Sequence, residues 1–263
     1  MSDQIAKQRA DRDAMGHMLY DYYMHPSDEI YEIIEREDGY IDASSPASVY
    51  FRPFGEWLPF EQAAMGCAAP GRLLDLGCGA GRATLYFQEQ GWAAVGIDLS
   101  PLAVEVCRLR GLKEVRVMPV TRVGPELGVF DTIVMAGNNW GLVGNPRRAR
   151  WLLRRFYAIT NPKAVIIAES NDIYGTAFPP HLAYQAWNRA RGRMSGQIRM
   201  RVRYEAYASP WFDYLMVSKP ELEVILAGTG WRVHTYFNSE GSSYAAVLEK
   251  ALRASGQTTQ NDL

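Results

Sequence analysis

Cysteine is scarce in this chain. Three occur in 263 residues, Cys67, Cys78 and Cys107, with no C-x-x-C pair. Their number and spacing exclude a disulfide framework or a structural zinc site and point to a reducing compartment. Four histidines, His17, His25, His181 and His234, show no metal-ligand spacing, so no metal is expected. Long apolar runs are missing as well. The longest purely aliphatic stretch, Ala164 to Ala168, is far too short for a bilayer, and the polar start through Asp13 holds no secretory core. Lysine numbers only five and the net charge is −1, which argues against a nucleic-acid partner. No G-x-x-x-x-G-K-[ST] occurs, which argues against a phosphate cradle. Together these absences predict a soluble, cytoplasmic protein with no membrane contact.

What is present is an ordinary globular composition, 48% apolar and 22% charged. Residues 1–60 hold 12 acidic and 5 basic residues and read as a helical lid, with a helix expected to start at Ser27-Asp28-Glu29. Residues 61–253 read as an α/β core. Strands are expected at 73–76, 93–98, 115–118, 130–136 and 164–168, with helices between them. Ser218-x-x-Glu221 is a capping box, and two further strands, 231–237 and 243–249, flank a short turn. The expectation is a doubly wound, mostly parallel seven-stranded sheet ending in an antiparallel hairpin. A late β-hairpin insertion is expected at 189–217, and residues 254–263 read as a disordered tail.

The segment Leu73-Leu74-Asp75-Leu76-Gly77-Cys78-Gly79-Ala80-Gly81-Arg82 places alternate glycines directly after a strand. Such a loop brings main chain against a ligand without intervening side chains. Arg82 stands where a dinucleotide fingerprint needs Gly or Ala. Asp75, before the loop, favours a cationic or amino-bearing ligand over a pyrophosphate. The second strand ends in Asp98, placed to accept hydrogen bonds from ribose hydroxyls. These features imply a nucleoside with a positively charged tail.

The strings Leu-Asp-Leu-Gly-Cys-Gly-Ala-Gly-Arg and Val-Gly-Ile-Asp-Leu-Ser-Pro resemble the first two motifs of class I S-adenosylmethionine-dependent methyltransferases. The resemblance spans about residues 60–250. It implies S-adenosylmethionine as cofactor and methyl transfer as the reaction. It also implies that Asp75, Gly77, Gly79 and Gly81 line the methionine and ribose part, that Asp98 holds the ribose and that Leu99 packs near adenine. Asn138 and Asn139 would meet the methionine end. The chain departs from the family's pattern at Val117-Met118-Pro119-Val120-Thr121, which has no acid for the adenine amine.

The acceptor side is less defined. Asn138-Asn139-Trp140-Gly141 lacks the Asn/Asp-Pro-Pro-aromatic signature of enzymes that methylate nucleic-acid amines. Tyr20, Tyr23, Trp140, His181, Arg199 and Trp211 are candidate substrate residues, and no catalytic base is assigned. Residues 147–203 carry 12 basic and 2 acidic residues. They meet an anionic substrate or RNA, or pair with the chain's own acidic lid; the overall charge favours the lid. The expected function is methyl transfer to an oxygen or nitrogen of a small molecule. The alternatives are an RNA or protein methyltransferase and a non-catalytic cofactor-binding protein.

Overall fold

A computed structural model describes residues 12–251, and the tail expected at 254–263 lies outside them. The described chain begins with helix α1 (Ala14–Met24), a hairpin of β1 (Tyr31–Arg36) and β2 (Ile41–Pro46), and helix α2 (Pro59–Met65). Then come β3 (Arg72–Leu76), α3 (Arg82–Glu89), β4 (Ala93–Asp98), α4 (Pro101–Leu109) and β5 (Val115–Val117). They are followed by β6 (Phe130–Met135), α5 (Pro146–Ala158), β7 (Thr160–Asn171) and α6 (Pro179–Ala190). The rest comprises β8 (Gln197–Tyr204), β9 (Tyr207–Ala208), β10 (Phe212–Leu215), α7 (Lys219–Leu226), β11 (Trp231–Asn238) and β12 (Ser243–Lys250).

Seven strands form the main sheet in the order β11-β12-β7-β6-β3-β4-β5, all running in one direction except β12, which is antiparallel to both its neighbours, β7 and β11. Its strands are apolar because both faces are covered. Leu73 of β3 turns to one cluster with Phe60 and Phe87, while Leu74 and Leu76 turn to the other with Leu152 and Leu222. The expected caps form: Ser100 Oγ accepts the Ala103 N–H at 2.9 Å, and Glu221 accepts the Ser218 N–H at 2.8 Å. The chain winds outward from β3 through β4 to β5, then returns to β6 on the other side of β3. The switch point therefore falls between β3 and β6, where ligands of open α/β sheets bind.

The helix expected after Ser27 is absent. Ser27 Oγ does accept the Glu29 N–H at 3.2 Å, but the turn leads into β1. Two causes override the local signal: Gly39, at φ +88°, reverses the chain into β2, and β8 supplies main-chain partners, with Ile33 opposite Arg203. The expected late hairpin forms as β8 and β10, with Met200 opposite Phe212. It joins the N-terminal hairpin in a second sheet of order β10-β8-β1-β2, with β9 on β8. The N-terminal segment is thus part helix and part strand.

Candidate active site

The loop after β3 lies at the switch point. Gly77, Gly79 and Gly81 adopt φ of +71°, +54° and +79°, a region where side chains are strained. A Cβ on Gly77 would stand 2.7 Å from Leu142 Cδ1 and 2.9 Å from Asn139 Nδ2, so the backbone there is tightly cradled. The Gly79 N–H donates to Asp98 Oδ2 at 2.9 Å, and the Ser100 N–H donates to Asp98 Oδ1 at 2.9 Å. Burial pushes the Asp98 carboxyl up, and the two N–H groups oppose this. Beside it, Leu99 is 70% exposed and Val117 49%, an apolar ledge open to solvent.

Asp75 is buried and accepts from Thr84 Oγ1 at 2.6 Å. Burial raises its pKa to about 6. Across the switch point, Asn139 Nδ2 donates to the carbonyls of Leu76 at 3.0 Å and Gly77 at 2.8 Å, locking the β6 loop to the glycine loop. Asn138 sits at φ +66°, and the Tyr214 hydroxyl donates to its carbonyl. Glu169, near the end of β7, accepts the Gly137 N–H at 2.7 Å. Burial first, and Glu61 second, raise its pKa to about 7. Asn138 Oδ1 and Glu169 Oε1 are buried and have no hydrogen-bond partner among the described residues.

The N-terminal segment roofs this end. Tyr50 Cδ1 lies 3.5 Å from the Cβ position of Gly79, and its hydroxyl donates to Glu32 Oε2 at 3.0 Å. Asp13 Oδ1 accepts the Gly16 N–H at 3.1 Å, and its Oδ2 accepts Ser100 Oγ at 2.9 Å and the Leu102 N–H at 3.1 Å. One carboxylate thereby serves the starts of both α1 and α4. Arg82, first residue of α3, pairs with Glu61 and stacks over Trp57 at 4.4 Å.

The candidate acceptor residues are dispersed. Tyr20 and Tyr23 pack in the cluster under α1, where the Tyr23 hydroxyl donates to the Leu109 carbonyl at 3.3 Å. Trp140 is buried in the main core. His181 stacks edge-on against Tyr40 and Phe178, and burial, then Arg36, lowers its pKa. Arg199 reaches Asp213 at 3.4 Å, and Trp211 lies under the Arg201 guanidinium at 4.7 Å. The basic stretch does pair with the lid's acids: Arg201 and Arg203 bind Glu35, and Arg191 and Arg193 bind Glu37. Sequence reasoning missed Glu32, Tyr50, Glu169 and Tyr214. Only Glu169 left a signal, an acid closing an apolar strand as Asp75 and Asp98 do.

The donor set fits a nucleoside with an ammonium-bearing tail: bare main chain at three glycines, an acid at the tip of β4, and an unpartnered amide oxygen at Asn138. A methyltransferase-domain family model matches residues 73–163. No curated protein matches the chain. Among solved structures, a SAM-dependent methyltransferase from Bacteroides fragilis in complex with S-adenosyl-L-homocysteine is 27% identical, with a TM-score of 0.77 over 92% of this chain and 97% of that one. The CcbJ methyltransferase of Streptomyces caelestis (14% identity, TM-score 0.55, 76% and 95% covered) shares the fold. So does a SAM-dependent methyltransferase from Methanosarcina mazei (16%, 0.57, 75% and 99%). Residues 73–163 thus form a methyltransferase domain, and the chain as a whole has the fold of an S-adenosylmethionine-dependent methyltransferase. No described helix is long and apolar enough to cross a membrane.

Proposed function

We propose that the enzyme methylates an oxygen or nitrogen of a small-molecule acceptor in the cytoplasm. The roof over the cleft supports this reading: Tyr50 rests on Gly79, and Tyr214 is bonded to the Asn138 carbonyl. A roof of that kind suits an acceptor small enough to be enclosed. Five arginines of the basic stretch, Arg191, Arg193, Arg199, Arg201 and Arg203, are engaged with Glu35, Glu37 and Asp213 and so are drawn away from an RNA substrate.

In this reading S-adenosylmethionine supplies the electrophilic methyl group. Asp98 accepts from the ribose hydroxyls, Gly77, Gly79 and Gly81 line its sugar and methionine, and Leu99 covers adenine. Asn138 and Asn139 meet the methionine end, while Asp75 adds negative potential beneath it. Residues 12–60 and the 189–217 insertion act as a lid over the 61–253 core. The lid contributes alignment and water exclusion, which carry most of the catalysis when the nucleophile attacks in line.

Methyl-labelled cofactor incubated with a cell extract tests this. Label is expected in the low-mass filtrate. Label confined to RNA or protein would favour a macromolecular acceptor, and tight cofactor binding without any label would favour a non-catalytic role.

A further inference from the structure

Three acidic side chains of the N-terminal hairpin region are treated differently by the fold. Glu35 is bound by Arg201 and Arg203, and Glu37 by Arg191 and Arg193. Glu32 has hydroxyl partners only: Ser44 Oγ at 2.8 Å and the Tyr50 hydroxyl at 3.0 Å, both on Oε2. No hydrogen bond reaches Glu32 Oε1 among the described residues. A carboxylate that merely braced the lid would gain from one of the nearby arginines. This one is held by one oxygen and offers the other.

Through Tyr50, Glu32 adjoins the methyl-transfer end. Tyr50, its hydrogen-bond partner, packs on Gly79 of the cofactor loop. Tyr214, which holds the Asn138 carbonyl, lies close enough to feel both Glu32 and Glu169. Glu169 adds a buried, unpartnered Oε1 at this end, and Asp75 is a further buried carboxyl at the start of the glycine loop. Arg82 acts on Asp75, Glu169 and Tyr50, but its guanidinium is already taken by Glu61. Carboxyl groups outnumber cations at this end, which favours a cationic guest and opposes a phenolate or a carboxylate.

We infer that the acceptor is a primary or secondary amine that enters as an ammonium ion, and that Glu32 Oε1 binds it and takes its proton. This deepens the methyl-transfer reading above and rests on it. The ammonium gives one proton to the Glu32 carboxylate, freeing the nitrogen lone pair. That pair forms the new nitrogen–carbon bond while the carbon–sulfur pair stays on sulfur, leaving a methylated ammonium and a neutral thioether. The glutamic acid then returns its proton to water. Burial raises the Glu32 pKa above the ordinary carboxylate value, with Ser44 and Tyr50 opposing the shift, which makes it a better proton acceptor.

The test separates a metabolite extract by ion exchange into basic, neutral and acidic fractions before exposure to methyl-labelled cofactor. Label is expected in the basic fraction, and a basic fraction without label overturns the inference whatever the others hold. Glu32→Gln is expected to slow that labelling about 100-fold, and an undiminished rate would overturn it. Calorimetry with S-adenosylhomocysteine supplies the second readout. Affinity in Glu32→Gln should stay within about fivefold of the parent, less than 1.4 kcal/mol, which also shows that the variant folds. A larger loss would assign Glu32 to the cofactor's own ammonium and overturn the acceptor role. A parent protein that fails to bind S-adenosylhomocysteine would instead defeat the underlying reading.

Discussion

The main-chain N–H of Gly79 donates to the Asp98 carboxylate at 2.9 Å, so the glycine loop and the tip of β4 form one rigid edge. The same carboxylate takes the Ser100 N–H and so fixes the entry to α4. Ligand recognition and local order are thereby vested in one side chain, and substitutions must be chosen to separate them.

Asp98→Asn keeps one acceptor oxygen and the shape of the side chain. S-adenosylhomocysteine affinity should drop by about 10- to 100-fold through loss of charge-assisted bonds. Asp98→Ala should lose more and also lower stability by about 1–3 kcal/mol, because two N–H groups lose their acceptor. Calorimetry and urea unfolding read the two effects independently; full affinity in both variants would contradict the assigned role.

Gly77→Ala sets a Cβ against Leu142 and Asn139 at a positive φ. The left-handed conformation alone costs about 1–2 kcal/mol. Displacing Asn139 also breaks its bonds to Leu76 and Gly77, which tie the two ligand loops together. The expected result is a lowered melting temperature and greatly weakened cofactor binding. A variant with parental values in both would show that the loop needs no glycine at that position.

Asp13 joins the lid to the core. Asp13→Ala removes the cap of α1 and the acceptor for both Ser100 Oγ and the Leu102 N–H. A loss of about 2–4 kcal/mol follows from a missing cap plus orphaned buried donors. Limited proteolysis should then cut first between residues 12 and 60. Cleavage starting within the main sheet would count against the fastening role.

Glu169 predicts a pH effect of defined sign. Its folded pKa of about 7 lies above its ordinary value of 4.5, so between these values the native state holds a proton that the unfolded chain has released. Its stabilising contribution is full below pH 4.5 and fades as pH rises to about 7, by about 3 kcal/mol in all. Glu169→Gln, which cannot ionise and still accepts from Gly137, should gain on the parent by that amount between pH 4.5 and pH 8. Urea midpoints that change in parallel for the two proteins would contradict it.

The main sheet was legible because its strands are short, apolar and separated by capped helices, so each announces itself locally. The cofactor loop was legible for a related reason: three alternate glycines and two strand-ending acids are a backbone requirement written directly in residue types. The lid was not. Tyr31–Arg36 follows the acid-rich helix start at Ser27-Asp28-Glu29 yet carries β-branched residues, and the strand wins only with the reversal at Gly39 and the pairing with β8. Glu32 and Tyr50 carried no sequence signal, and Tyr20, Tyr23 and Trp140 turned out to pack helix and core.

Sequence by itself therefore determined the seven-stranded framework, the glycine bend and the acid at the tip of β4, since these depend on neighbours a few residues away. Tertiary structure alone decided that residues 31–46 become strands and that Glu32 keeps one oxygen unclaimed. The physical reason is distance along the chain: β1 has a near partner in β2, but the strand on its other edge, β8, lies about 170 residues later. Such pairings gain their free energy only when the chain has closed on itself.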